Sequence, residues 1–424
     1  MDPLERPKPK RQLPNLQQAA QLLGLTQRRS RRSALDRILS VEEMRVRARK
    51  RVPRSIFDYV DGAAEEEITL RANRDAFQRL RFHPTALNDV SDPDTRSNIL
   101  GDTVGMPLAL APTGFTRMVH REGEIGVAWA ANRAEIPYTL ATLGTASAQD
   151  ICEVTPRVPR WFQLYAHKSE QANLDLLATA RTHGFDTLVV TVDTAVIGSK
   201  RRDLRSGLTV PPTVSPRTFV DMAVHPRWWT GALTGAPLGF DALGSSGESM
   251  FADLNSQFRQ GIDATFLRWI RAEWSGKLVI KGIVSPSDAC TAFELGADGI
   301  VLSNHGGRQL DRTIPPVTAL PAIRRAVGPT RTILLDSGIR SGADIVAALC
   351  LGADACMIGR PYLYGLMAGG APGVDRVLSI LRDDIVRTMR LLGVQRLSDL
   401  GPHHVSSETS PPTESPFLTA ASSL

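Results

Sequence analysis

The chain has 424 residues, 42% hydrophobic and 22% charged, an ordinary balance for a soluble globular protein. Its formal charge of +6 is unevenly placed: residues 1–54 hold fifteen Lys/Arg against five Asp/Glu, so the remainder is mildly acidic and does not read as a nucleic-acid-binding body. Four cysteines (Cys152, Cys290, Cys350 and Cys356) lack CxxC or CxxxH spacing, which argues against a metal site and for free thiols in a reducing compartment.

Residues 1–40, with their Pro, Gln and Arg clusters, predict a flexible basic arm suited to solvent, an acidic partner or anionic lipid. No apolar signal region follows the N-terminus and no apolar run is long enough to span a bilayer, so the expected location is the cytoplasm, including the inner face of the membrane. Ser40 followed by Glu43 is a capping-box pattern and predicts a helix over 41–50.

From there, short apolar runs alternate with Ala/Leu/Arg-rich segments. Eight runs, at 107–111, 138–141, 161–164, 187–192, 278–281, 299–303, 332–336 and 355–358, read as parallel strands buried on both faces. Helices are predicted over 122–134, 146–152, 171–183, 286–294, 321–327 and 342–349. Eight such units predict an α/β fold, a (β/α)₈ TIM barrel over 41–401, with a doubly wound open sheet as the alternative. The connection over 193–277 is unusually long, and its HPRWWTGALTG segment at 225–235 reads as packing against the body or as an interfacial contact. The Ser/Thr/Pro-rich stretch 402–424 predicts a loose tail.

Barrel chemistry collects where strands end. The strand ends here supply Thr113, Gln163 and Tyr165, Thr191 and Asp193, Lys281, Ser303 with His305 and Arg308, Asp336, and Gly359 with Arg360. The last two loops, with Gly338, Arg340, Gly359 and Arg360, match a phosphate site after strands seven and eight. Lys281 closes an apolar strand and needs an anionic partner, either a reduced flavin or a carboxylate, Asp336 or Asp193. His305 can take a proton near neutral pH, Asp193 can hold the resulting imidazolium, and Arg308 can fork onto a carboxylate.

These segments resemble the FMN-dependent 2-hydroxy acid dehydrogenase/oxidase family, on FDYVDGAAEEE (57–67), APTGF (111–115), RMVHREGE (117–124), WFQLY (161–165), TVDT (191–194), VIKGI (279–283), SNHGGRQLD (303–311), LLDSGIRSG (334–342) and IGRP (358–361). Within that family the likeness is greatest to bacterial flavin L-lactate dehydrogenases with a long fourth loop. The resemblance implies FMN as cofactor, oxidation of a small 2-hydroxy acid with L-lactate favoured, and a homotetramer. It implies His305 as base, Asp193 as its support and Tyr165 at the reacting oxygen, with Tyr59 and Arg308 on the substrate carboxylate. It assigns Thr113, Ala141, Gln163, Thr191, Lys281 and Ser303 to the flavin and ribityl groups, Asp336 to the ribityl hydroxyls, and Gly338, Arg340, Gly359 and Arg360 to the phosphate. Where many members have a second carboxylate arginine, this chain has Lys200 beside Arg201; Ala141 replaces a common serine and Leu143 the tryptophan of glycolate oxidases. The electron acceptor implied is a quinone or cytochrome-type respiratory carrier. Alternatives are O₂, as in an oxidase or lactate monooxygenase, and a flavin-binding, peptide-modifying or non-catalytic relative.

Overall fold

The computed structural model describes residues 33–206, 221–234 and 257–408. The chain divides into two units, residues 1–38 and 39–424. Of the first, residues 33–38 contain a turn in which the Ser33 N–H donates to Asp36 Oδ2 (2.7 Å). Residues 1–32 of the expected arm, 207–220 and 235–256 of the long connection, and 409–424 of the expected tail lie outside the described residues.

The second unit begins with three helices, α1 (Val41–Arg49), α2 (Arg54–Asp61) and α3 (Ile68–Gln78). The start of α1 forms half of the expected box: Ser40 Oγ accepts from the Glu43 N–H, but the Glu43 carboxylate reaches back to the Leu39 N–H rather than to that of Ser40. Strand β1 (Leu80–Phe82) follows. A hairpin of β2 (Ser97–Ile99) and β3 (Asp102–Val104) then drives Ile99 and Val104 into one apolar cluster with Trp161, Val189, Val279, Val301 and Leu334. Leu100 beside it packs near Gly299, the first residue of its strand, so the hairpin plugs the N-terminal mouth of the barrel.

The barrel alternates β4 (Leu108–Leu110), α4 (Thr116–Val119), α5 (Gly123–Ala134), β5 (Tyr138–Ala141), α6 (Ala148–Val154), β6 (Arg160–Leu164), α7 (Glu170–Thr182) and β7 (Thr187–Thr191). The long connection carries α8 (Arg201–Ser206), α9 (Pro226–Thr234) and α10 (Ala264–Glu273) among its described residues. There follow β8 (Lys277–Ile283), α11 (Pro286–Glu294), β9 (Gly299–Leu302), α12 (Pro316–Val327), β10 (Thr332–Leu335), α13 (Gly342–Cys350), β11 (Ala355–Ile358), α14 (Arg360–Gly369) and α15 (Ala371–Leu392). Strands β4 to β11 are parallel, each beside the next, and the pairing Leu110↔Ile358 closes the ring. The fold is the expected (β/α)₈ barrel, and all eight apolar runs are its strands.

Two expectations are corrected. Helix α12 starts at Pro316, not at 321: Pro316 occupies the first turn, where its missing N–H costs nothing, and Pro321 lies further inside. Order also continues past Pro402, because Val405–Ser407 forms β12 and pairs antiparallel with β1 in the register Phe82↔Val405 and Leu80↔Ser407.

Candidate active site

A cavity of 680 Å³ opens at the C-terminal ends of the barrel strands. Its wall includes His305, Arg308, Tyr59, Tyr165, Lys200 and Lys281, and it reaches Gly338–Arg340 and Gly359–Arg360. The expected base and carboxylate clamp therefore face one space.

Residues His305–Gly307 form one 3₁₀ turn directly after β9. His305 itself adopts φ 58°, a left-handed backbone uncommon for a side-chain-bearing residue. The turn is held by side chains: Ser303 Oγ accepts the His305 N–H (3.0 Å) and Ser337 Oγ accepts the Gly306 N–H (3.0 Å). Asp193, just beyond β7, lies behind the imidazole, with Oδ1 3.2 Å from Nδ1. Burial pushes the Asp193 carboxyl up, but the imidazole and the Lys281 ammonium outweigh it and hold the group below its ordinary value. An ionised Asp193 fixes the ring with Nδ1–H inward and Nε2 toward the cavity.

Lys281 is 4% exposed, and its ammonium lies 2.8 Å from Ser303 Oγ and 3.0 Å from Asp336 Oδ2. Of the partners open at the sequence level, the carboxylate of Asp336 is the one in contact. Asp336 thus faces the cavity already paired, and also accepts the Ser337 hydroxyl.

Four cations crowd the other side. Arg308 lies over the Tyr59 ring (5.0 Å to its centroid) and donates to Tyr59 O and Gly62 O. Lys200 Nζ lies 5.5 Å from the same centroid. Burial, then the Arg308 charge, brings the Lys200 ammonium down to about 7. Arg360 is anchored to three carbonyls, Val60, Gly306 and Gly62, and burial followed by Arg308 brings its guanidinium down to about 9. Arg340 is the fourth, donating to its own neighbour Ile339 O. The strain on the buried Lys200 and Arg360 cations is what a bound anion would relieve.

Arg201 is a correction. It pairs with Glu66 on the outer surface and does not line the cavity; its neighbour Lys200 turns inward in its place. Ala141, Gln163 and Ser303 also stop short of the cavity wall. Gln163 supports Thr191, which does line it, through Nε2–H···Oγ1 (3.1 Å), and Ser303 supports Lys281 and His305. Thr113, Thr191, Gly338, Arg340, Gly359 and Arg360 line it as expected.

The phosphate end is built differently from the sequence expectation. The N-terminus of α13 is satisfied internally by the reciprocal pair Ser341 and Asp344, and Asp344 also accepts the Arg340 N–H. Helix α14, in contrast, starts at Gly359 with no side-chain cap and opens on the cavity beside Arg340 and Arg360. A helix N-terminus with these guanidiniums fits a phosphate dianion. The donor set therefore suits FMN: phosphate at Gly359–Arg360, polar side chains along the middle, and a ring zone beside Lys281. Gly338, at φ 109°, approaches so closely that a Cβ would lie 2.5 Å from Asn73 O.

Sequence reading missed the roof. Gln309 donates to Asp193 O and Val196 O and accepts the Gly198 N–H, clamping the segment that carries Val196 and Ile197 over the cavity. Phe258 lines it as well, 5.9 Å from Tyr165 ring to ring, and lies in a connection with no periodic signal. The wall at 113–116 is pinned by fully buried Glu124, which accepts from the Thr116 and Thr145 N–H groups and the Thr145 hydroxyl. Trp228 packs inward, its Nε1–H donating to Met118 O (3.0 Å).

The family described as FMN-dependent dehydrogenase matches residues 48–407. A Mycobacterium tuberculosis protein carrying a provisional L-lactate dehydrogenase name is 44% identical over 398 residues, covering 93% of this chain and 96% of that protein. L-lactate dehydrogenase of Alcaligenes faecalis is 40% identical over 372 residues, 86% of this chain and 97% of that one. Among solved structures, the monotopic membrane protein (S)-mandelate dehydrogenase superposes with a TM-score of 0.84 at 38% identity, covering 88% of this chain and 100% of that chain.

Proposed function

Because the chain belongs to the FMN-dependent dehydrogenase family, we propose that it oxidises a small L-2-hydroxy acid, L-lactate foremost, to the 2-oxo acid and delivers the electrons to a quinone or cytochrome-type acceptor. Its cofactor is FMN. The observation that carries the reading is the convergence of a carboxylate-backed imidazole and a pair of cations, His305–Asp193 facing Arg308 and Lys200, on one cavity.

The side-chain chemistry follows from that placement. Arg308 and Lys200 bind the substrate carboxylate, with Tyr59 beneath them. The C2 hydroxyl then falls toward His305 Nε2 and the Tyr165 hydroxyl, and His305 accepts the proton that leaves as the carbonyl forms. Asp193 stabilises the charged ring. The roof over 193–198 excludes water and strengthens these interactions. Bound FMN supplies the acceptance of two electrons, and Lys281 holds positive charge beside it. The substrate side chain meets Leu143, Val196, Ile197 and Phe258, an apolar wall.

No described helix is long and apolar enough to cross a membrane. Helix α9 exposes Leu233, and Val224 just before it is exposed too, which supports peripheral contact with a bilayer and a membrane-borne acceptor. The test is an anaerobic absorbance experiment. L-lactate should bleach the oxidised flavin faster than glycolate or L-mandelate, and a soluble quinone should restore the colour faster than O₂. No bleaching by any of the three acids sinks the proposal; faster reoxidation by O₂ replaces dehydrogenase with oxidase.

A further inference from the structure

A second cavity, of 540 Å³, lies beside the first, and Val119 lines both. Its polar lining is strongly basic. Arg51, Arg117, Arg121 and Arg227 line it together with His120, and no Asp or Glu does. The arginines come from separate parts of the chain: the turn after α1, the segment 117–121 and helix α9. Arg51, Arg121 and Arg227 form no ion pair with a carboxylate among the described residues.

The nearest acid by sequence is already used. Glu122 Oε2 accepts the Ala371 N–H (2.6 Å) at the start of α15, and the Glu122 N–H is directed at His120 Nδ1. With Nδ1 accepting, neutral His120 carries its proton on Nε2, another donor. Helix α9 forms one wall: Arg227, Thr230, Gly231 and Thr234 recur at i, i+3, i+4 and i+7 and face the cavity together. Trp228 is locked by its bond to Met118 O, and Gly231 lies over the Arg121 stem. The arginines are therefore gathered by packing of the fold. Burial, then Arg47 and Arg227, lowers the Arg51 guanidinium below its ordinary value. The remaining lining, Val52 and Met367 among it, is apolar.

Several forked donors around a space much larger than a single small ion suit a tetrahedral dianion or diester oxygen with an organic appendage. We propose that this cavity binds a phosphate ester. The ester can come from a phospholipid headgroup or from a soluble phosphate compound, and Leu233 on a neighbouring face of α9, 65% exposed, favours the former.

The test uses full-length FMN-bound protein and two probes. One is vesicles of phosphatidylglycerol and phosphatidylcholine in equal parts, against pure phosphatidylcholine, read by co-sedimentation. The other is glycerol 3-phosphate, read by calorimetry. The expected result is binding to at least one probe that falls at least tenfold in the Arg121→Glu/Arg227→Glu double variant, while Arg268→Glu/Arg325→Glu, with the same charge change on exposed sites elsewhere, binds as the parent does. Retention on anionic vesicles alone identifies the lipid source, and binding of glycerol 3-phosphate identifies a soluble ester. Arg121→Gln/Arg227→Gln provides the same comparison without charge reversal. Flavin reduction by the hydroxy acid should keep its parental rate in both double variants, which separates this site from the catalytic reading. Binding of neither probe by the parent, undiminished binding in both double variants, or an equal loss in the distant control overturns the proposal.

Discussion

His305 is the residue on which the chemistry turns. His305→Ala should slow flavin reduction by roughly 10²–10⁴-fold with FMN content unchanged; stopped-flow reduction at the parental rate would remove it as the base. Lys200 gives a pH signature. Its ammonium, held near 7 by burial and Arg308, favours a bound carboxylate only when protonated. Affinity for the 2-oxo acid should therefore weaken as pH rises through about 7, with proton uptake on binding. In Lys200→Arg, whose guanidinium stays charged, this part of the profile should flatten; an unchanged slope in calorimetry at several pH values would assign it elsewhere. Much of this was legible in the sequence, since the C-terminal ends of apolar barrel strands converge on one mouth and the His, Asp and Arg that follow them are brought together there. The choice between Lys200 and Arg201 was not. Adjacent residues point to opposite sides, and the pairing of Arg201 with Glu66 depends on the turn between α2 and α3, far away in sequence.

At the scale of elements, the parallel strands were readable because burial on both faces makes each a nearly continuous apolar run. Helix α3 was not, because its start has no local signal. Its cap position is Glu67 in a left-handed conformation with no side-chain cap bond, and its first N–H groups are satisfied by Asp311. That carboxylate accepts from the Glu66, Ile68 and Thr69 N–H groups. The capping residue thus belongs to the segment that carries His305 and Arg308, and it ties the two parts of the site together. Asp311→Ala should destabilise the fold by about 1–3 kcal/mol, measured by urea denaturation. Gly338→Ala should do more to FMN retention than to solubility. A side chain at φ 109° meets Asn73 O, and relief of that clash moves the loop that faces the phosphate end. FMN content equal to that of the parent would contradict this.

At the largest scale, the unit over residues 39–424 is a ring of strands plugged at one mouth and cationic at the other. The plug puts Trp161 at 0% exposure among apolar neighbours, so Trp161→Ala should cost about 3–5 kcal/mol. At the cationic mouth, FMN binding should raise the melting temperature. Free FMN at a hundredfold excess over its Kd contributes about 2.7 kcal/mol to the folded state, and removal of the cofactor should reverse the gain. The ring closes where Leu110 meets Ile358, positions about 250 apart in the chain. A growing polypeptide cannot make that seam until its last strand has left the ribosome. Until then the first and the latest strand each present an unpaired hydrogen-bonding edge. Synthesis at about 5–20 residues per second leaves those edges open for many seconds, so the recombinant yield should depend strongly on chaperone supply and on lowered growth temperature.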